Sequence, residues 1–220
     1  MKLSKTIDHT LLKPFSQRND IYKLCMEAKE YDFASVCVNP CWVEYAKNLL
    51  EGTNVKICTV IGFPLGATFK EVKVQEAKLA ADKGCTEVDM VINIGKLKDK
   101  EYGYVKEEIK EIVKVVKGKA VVKVIIETCL LTDEEKIKAC KLSVEAGAAF
   151  VKTSTGFSTG GATIEDVKLM KKAVKDNALV KASTGIKTYG QVKEFIKVGA
   201  VRFGTSSGIK ILQERMNLDE

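Results

Sequence analysis

Two apolar runs in this chain are spelled almost alike, and each carries a lysine at the point where it breaks: Phe150-Val151-Lys152-Thr153-Ser154-Thr155-Gly156 and Leu179-Val180-Lys181-Ala182-Ser183-Thr184-Gly185. Each reads as a buried strand that delivers an ammonium group to its open end. Burial favours the neutral amine, and a second ammonium nearby favours it further. A lysine with an ordinary pKa of about 10.4 needs a shift of roughly three units, about 4 kcal/mol, to be largely neutral near pH 7. Such an amine attacks carbonyl carbon, so the pair points to Schiff-base chemistry, with one lysine as nucleophile and the other tuning it.

Strand alternation groups more ionisable residues with this pair. Glu87, Asp89 and Val91 share one side of their run, and Lys123, Ile125 and Glu127 share one side of theirs. Two readings are open. Asp89 and Glu127 balance the lysines in a buried ion-pair network, or Asp89 moves protons during carbinolamine dehydration and enamine formation.

A second constellation suits phosphate. Gly156, the turn Thr184-Gly185-Ile186-Lys187 and the loop Gly204-Thr205-Ser206-Ser207-Gly208 each follow one of the last three apolar runs, and the final loop leads into a helix over 209–216. Backbone amides at glycine-rich turns and helix N-termini bind phosphate, and Ser206 and Ser207 add hydroxyl donors. A phosphorylated substrate is therefore expected. His9, the single histidine, reads as structural, while Asp8 and Thr10 alternate with it toward the interior. The sequence contains no His-x-x-x-His pair, no Walker loop and no Ser-His-Asp arrangement, so neither a metal nor a cofactor is expected.

These residues need a frame that brings consecutive strands to one centre. Glycines at 52, 84, 118, 147 and 199 each end an amphipathic segment just before an apolar, β-rich run, the place where a left-handed helix cap falls. Between the runs, Val105, Ile109, Ile112, Val113 and Val116 keep helical spacing; Thr132 with Glu135 forms a capping signal, and Asn39-Pro40 puts proline in a first helical turn. Strands are predicted at 7–10, 35–38, 56–61, 87–92, 121–126, 150–153, 179–182 and 201–204. Eight strands alternating with helices predict an α/β fold of the (β/α)8 TIM-barrel class, one domain over 1–220, with its chemistry at the carboxyl ends of the strands. A doubly wound sheet would more often carry a Gly-x-Gly-x-x-Gly fingerprint after its first strand, and none is present.

Composition narrows the class. Hydrophobic residues at 45% and charged residues at 30% suit an ordinary globular protein. The formal charge of +7 comes from lysines that mostly alternate with glutamates on helices, a solvated pattern rather than a nucleic-acid platform, and it can draw in an anionic substrate. With no apolar core at the N-terminus and no membrane-length apolar run, neither secretion nor a membrane partner is expected; the expected location is cytoplasmic. The cysteines at 25, 37, 41, 58, 85, 129 and 140 lack any Cys-x-x-Cys spacing and read as reduced, packed residues.

In order along the chain, Asp8-His9-Thr10-Leu11-Leu12, Val36-Cys37-Val38-Asn39-Pro40, Val60-Ile61-Gly62-Phe63-Pro64, Glu87-Val88-Asp89-Met90-Val91-Ile92-Asn93, Val151-Lys152-Thr153-Ser154-Thr155-Gly156, Lys181-Ala182-Ser183 and Gly204-Thr205-Ser206-Ser207-Gly208 resemble the deoxyribose-phosphate aldolases. The resemblance implies a class I aldolase, an aldehyde-lyase on a (β/α)8 barrel that interconverts 2-deoxy-D-ribose 5-phosphate with D-glyceraldehyde 3-phosphate and acetaldehyde in deoxyribose phosphate catabolism, without a metal. It implies Lys152 as the Schiff-base lysine, Lys181 as the tuning lysine and Asp89 in the proton relay. By the same resemblance Asp8, Thr10, Lys123 and Thr155 are supporting residues, with Thr155 placed for a substrate hydroxyl, and Gly156, Thr184, Gly185, Lys187, Gly204, Ser206 and Ser207 hold phosphate. Another Schiff-base phosphosugar aldolase, or a non-catalytic phosphosugar-binding barrel, is the alternative, and assembly as a homodimer or homotetramer is left open. One departure stands out. The family pattern Lys-Ala-Ser-Gly-Gly-Ile-Arg is here Lys181-Ala182-Ser183-Thr184-Gly185-Ile186-Lys187, so a positive φ at 184 would strain threonine and weaken the phosphate grip, and Lys187 keeps arginine's charge without its planar fork.

Overall fold

The computed structural model describes residues 2–219. Its strands are β1 (Ile7–Leu11), β2 (Ser35–Val38), β3 (Lys56–Ile61), β4 (Glu87–Val91), β5 (Val121–Ile125), β6 (Phe150–Lys152), β7 (Leu179–Ser183) and β8 (Ala200–Thr205). Each pairs in parallel with the next, and β8 returns to β1, so the sheet closes into an eight-stranded barrel. All eight predicted strands are present, with ends displaced by at most one residue. Around them run α1 (Arg18–Glu30), α2 (Val43–Leu50), α3 (Lys70–Asp82), α4 (Ile94–Lys98), α5 (Tyr102–Val115), α6 (Asp133–Glu145), α7 (Ile164–Val174), α8 (Tyr189–Lys197) and α9 (Gly208–Asp219). Among the described residues no helix is long and apolar enough to cross a membrane.

Alternation along the strands sorts two interiors. Outward residues such as Val36, Val88, Met90, Val122, Val124, Val151 and Val180 pack against helix residues Ile21, Ile109, Ile112, Val167 and Val192 in one apolar layer, the burial that drives closure. Inward residues are mostly ionisable, with a small apolar group of Leu12, Cys37, Cys58 and Val60 on one side of the lumen. Helix starts follow the sequence signals: Thr132, Thr163 and Thr188 each accept a backbone N–H from the first turn of α6, α7 and α8, and Thr132 with Glu135 completes the capping box.

The five punctuating glycines all have positive φ. Before β2 and β7 the same reversal is made by Asp32 (φ 55°) and by Lys175 (φ 53°), so the glycine signal is missing there. At β7 and β8 the register slips: Val180 lies opposite Ala200, but Lys181 lies opposite Arg202. The extra residue, Val201, acts as a bulge that turns Arg202 into the lumen beside Lys181.

A buried ion pair fastens two helices to the carboxyl end of β4. Lys73 of α3 and Glu108 of α5 are fully buried, 2.7 Å apart. Lys73 also donates to the Val91 carbonyl at 2.9 Å, and Glu108 accepts the Asn93 N–H at 3.2 Å. Burial pushes the Lys73 amine down and the Glu108 carboxyl up, each against the pull of its partner. Removing one charge strands the other, so Lys73→Met is expected to cost about 3–5 kcal/mol, and Lys73→Met with Glu108→Leu to recover most of it. Urea unfolding midpoints measure both; a single variant as stable as the parent would contradict the tie.

Candidate active site

The lumen holds Asp8 from β1, Glu87 and Asp89 from β4, Lys123 from β5, Lys152 from β6, Lys181 from β7 and Arg202 from β8. Asp89 is the hub. Its Oδ1 accepts from Lys123 Nζ at 2.8 Å, and its Oδ2 accepts from both Lys152 Nζ at 2.8 Å and Lys181 Nζ at 2.6 Å. Behind it, Asp8 Oδ2 lies 2.5 Å from Lys181 Nζ, while Asp8 Oδ1 accepts from Arg202 Nε and Ser35 Oγ, both at 2.6 Å. Arg202 Nη2 reaches both Glu87 oxygens at 2.8 Å, and Lys123 Nζ lies 2.7 Å from Glu87 Oε2.

Burial and charge oppose each other throughout this network. For Asp89, burial pushes the carboxyl up, but the Lys123, Lys152 and Lys181 ammonium groups outweigh it and hold the group well below the usual range. Asp8 is likewise pushed up by burial and pulled down further by Lys181, Lys123 and Arg202. Burial lowers Lys181, yet Asp8 and Asp89 raise it above an ordinary lysine, which keeps it protonated. Lys152 differs from its neighbours in having, among the described residues, a single carboxylate partner, Asp89 Oδ2, which it shares with Lys181.

Above the network opens a cavity of about 420 Å³ at the carboxyl ends of the strands. Lys152 reaches it from below, and Thr10, Thr155, Gly156, Thr184, Gly185, Lys187, Gly204, Ser206 and Ser207 line it. Asp8, Asp89, Lys123 and Lys181 lie beneath, coupled to the cavity through Lys152. His9 points the other way: its Nε2 meets Glu27 Oε2 at 2.7 Å, and its ring packs on Phe33. A Cβ at Gly204 would stand 3.2 Å from Lys181 Cε and 3.0 Å from Ser183 Cβ, so glycine there makes room for the lysine as well as lining the cavity.

Thr184 adopts φ +74°, the left-handed region that a β-branched residue rarely enters. Its neighbours make room for it. A Cβ at Gly156 would lie 3.0 Å from Thr184 Oγ1, and one at Gly161 would lie 2.6 Å from the Thr184 carbonyl oxygen. That carbonyl accepts the Ala162 N–H at 3.1 Å, which pins the turn.

Several functional positions escape strand alternation. Arg202 enters the lumen only because of the bulge, and Lys13 lines the cavity without belonging to a motif. Glu127 does not balance the lysines: it has a left-handed backbone just beyond β5 and hydrogen-bonds Thr155 instead. Five cysteines are buried as expected, but Cys41 and Cys129 are exposed. The ligand atoms of Cys37, Cys58 and Asp89 lie within 4.8 Å of one another, a spacing that could hold a metal ion. However, both Asp89 oxygens already serve ammonium groups, and a cation would have to displace them. The Cys58 hydrogen bond lowers the Cys37 thiol, while burial pushes Cys58 well up.

A model of the DeoC/LacD family aldolases matches residues 3–214. The deoxyribose-phosphate aldolase of Caldanaerobacter subterraneus subsp. tengcongensis is 61% identical over 216 residues, covering 97% of this chain and 94% of its own. That of Bacillus subtilis is 60% identical over 213 residues, covering 97% of this chain and 96% of its own. Among solved structures, the tetrameric deoxyribose phosphate aldolase from Aeropyrum pernix superposes with a TM-score of 0.91 at 37% identity, covering 98% of this chain and 92% of that one.

Two outcomes are expected from this geometry. Asp8 and Asp89 have folded-state values below their unfolded ones, so their stabilisation is present above about pH 4, the unfolded carboxylate value, and is lost as pH falls toward the folded values. The melting temperature should hold between pH 5 and 7 and drop progressively below pH 4; a flat profile down to pH 2.5 would contradict the network. Replacing Thr184 by glycine relieves strain of about 1–3 kcal/mol against an entropic cost of about 0.4–1 kcal/mol. The melting temperature of Thr184→Gly should therefore rise by about 2–4 °C, and a fall would show that the turn is not strained.

Proposed function

The chain belongs to the DeoC/LacD family of aldolases, and from that premise we propose that it cleaves 2-deoxy-D-ribose 5-phosphate reversibly to D-glyceraldehyde 3-phosphate and acetaldehyde, with Lys152 as the Schiff-base lysine. One observation carries the assignment of Lys152: among the luminal ammonium groups it is the one that lines the cavity, and it leans on a carboxylate oxygen shared with Lys181.

The Lys152 amine adds to the C1 aldehyde carbon of the open-chain sugar, and the carbinolamine loses water to form a protonated Schiff base. The iminium then draws in the electron pair of the C2–C3 bond while the C3 hydroxyl gives up its proton, which releases D-glyceraldehyde 3-phosphate. The enamine left on Lys152 is protonated at C2 and hydrolysed to acetaldehyde. Asp89 Oδ2, within hydrogen-bond reach of both Lys152 and Lys181, relays protons between these nitrogens and the carbinolamine. A carboxyl held so far down does not retain a proton, so its part is to pass protons on. Lys181, kept charged by Asp8 and Asp89, stands behind Lys152 as the tuning cation. Lys123 neutralises the other Asp89 oxygen, and Thr10 Oγ1 donates to the Asp8 carbonyl at 2.8 Å.

Gly156, Thr184, Gly185, Lys187, Gly204, Ser206 and Ser207 bind the phosphate in this proposal, supported by their common place on the cavity wall and by the start of α9 just beyond. Assembly into two or four copies belongs to the same proposal, supported by the tetrameric Aeropyrum pernix relative and by exposed Val72 and Leu79, two turns apart on α3. The seven free cysteines suit a reducing compartment, and the cytoplasm is the location the proposal implies.

Acetaldehyde followed by borohydride should attach an ethyl group to the peptide carrying Lys152. Lys152→Ala should abolish both labelling and the release of acetaldehyde from deoxyribose phosphate, and a chelator should affect neither. Labelling at Lys181 instead would overturn the assignment; a chelator-sensitive reaction would point to a metal-dependent aldolase. Relief of strain at Thr184→Gly should also lower the KM for the phosphorylated substrate, with kcat little changed.

A further inference from the structure

The charged side chains of the lumen close into a ring that leaves Lys152 outside. Arg202 Nε donates to Asp8 Oδ1 at 2.6 Å, and Asp8 Oδ2 lies 2.5 Å from Lys181 Nζ. Lys181 donates to Asp89 Oδ2 at 2.6 Å, and Asp89 Oδ1 accepts from Lys123 at 2.8 Å. Lys123 Nζ lies 2.7 Å from Glu87 Oε2, and Arg202 Nη2 donates to both Glu87 oxygens at 2.8 Å, which returns the ring to its start. Cations and carboxylates alternate at every step, so the ring is neutral when all its members are ionised. Lys152 hangs from it at Asp89 Oδ2, 2.8 Å away, and faces the cavity.

Arg202 and Glu87 close this ring on the side away from the substrate. Arg202 reaches the lumen from β8 through the bulge at Val201, and Glu87 is the first residue of β4. Neither lines the cavity. The Arg202 fork joins two arms, one through Asp8 and Lys181 and the other through Glu87 and Lys123, and both arms meet again at Asp89. Lys123 also lies 3.8 Å from Asp8 Oδ2 across the middle. In an unbroken register Val201 would stand opposite Lys181, so the bulge gives up ladder pairing to re-aim a charge.

The other titratable groups around Lys152 are the Cys37 thiol of β2, the Cys58 thiol of β3, Glu127 just beyond β5, and Lys13 and Lys187 on the cavity wall. Glu127 is held by Thr155, and Cys58 by Asp89 and Lys123. Changes at 87 and 202 leave all of these in place and alter the ring alone. Taking one cation out of the ring leaves an excess carboxylate, which favours the protonated form of an amine joined to it; taking one carboxylate out does the reverse.

We propose that Arg202 and Glu87 are positioning residues that close a neutral ring beneath Lys152, and that the charge of this ring sets the pH range over which Lys152 forms a Schiff base. The inference rests on the aldolase reading above and deepens it, because it gives a part in the reaction to groups remote from the reacting nitrogen. A ring that served stability alone would cost folding energy on the loss of either member, whatever the sign of its charge. Control of the pH range requires the two losses to act in opposite directions.

The test is reductive trapping of acetaldehyde on the Lys152 peptide by cyanoborohydride between about pH 5 and 9, with the pH of half-maximal trapping as the readout. Arg202→Gln should move that midpoint up by about one pH unit, and Glu87→Gln should move it down by about as much. Arg202→Lys keeps the charge without the fork, and Arg202→Gln combined with Glu87→Gln keeps the ring neutral. Both should stay within about 0.3 unit of the unaltered enzyme. A midpoint that fails to move in its stated direction in either single glutamine variant would overturn the proposal. If one of the two does not fold, the other decides; if neither folds, Arg202→Lys and the paired variant decide, and a shifted midpoint in either is equally fatal. Failure of the unaltered enzyme to trap acetaldehyde would instead sink the aldolase reading.

Discussion

One carboxylate is the constraint on which the lumen depends. Asp89 takes three ammonium groups from three consecutive strands onto two oxygens, and each of those lysines would be costly to bury without it. β4 must therefore hold its register against β5 to within a fraction of a residue, and Lys152 and Lys181 must stand side by side on β6 and β7, as they do in the observed pairing. The Lys73–Glu108 tie supports the same strand from outside, through the Val91 carbonyl and the Asn93 N–H just beyond Asp89. The outer apolar layer closes the barrel, but the charges in its lumen fix which closure is acceptable.

Most of that frame was legible in the residues, for physical reasons that also mark where legibility stopped. Period-two alternation predicts the inward side of β4, β5, β6 and β7 because each is short and regular, and Asp89, Lys123, Lys152 and Lys181 all arrive where alternation puts them. Arg202 was not legible because the β8 bulge breaks that period by one residue, and a bulge has no local composition signal here. Glu127 was misread for a related reason: it lies one residue past Ile126, where the backbone leaves the strand and turns left-handed, so its side chain follows the turn and not the pleat. Its neighbour in space, Thr155, comes from the next βα loop, and pairings between loops have no period to follow.

Thr184 illustrates the opposite case, in which a single substitution against a family pattern forecast a backbone state. A glycine pair suggests positive φ, and the structure has positive φ at both Thr184 and Gly185. The threonine is tolerated because its surroundings are small. Gly156 and Gly161 lie against its side chain and carbonyl, and no Cβ fits at either without displacing it. The strain is thus shared by two loops, following β6 and β7, that meet at the cavity wall. A change in either alters the room available to the other.

Charge balance separates these lysines by the carboxylate support that each receives. Lys123, Lys152, Lys181 and Arg202 face Asp8, Glu87 and Asp89, so with every group ionised the lumen carries one positive charge too many. The carboxylate support is not shared evenly among the four. Arg202 bridges Asp8 and Glu87. Lys123 touches three carboxylates and Lys181 two, and both are raised above an ordinary lysine by them. Lys152 touches one oxygen, shared, at the edge of the cavity. By saturating its other members, the network leaves the least-supported ammonium at the cavity and the fully paired ones beneath it, the arrangement on which the proposed Schiff-base role of Lys152 rests.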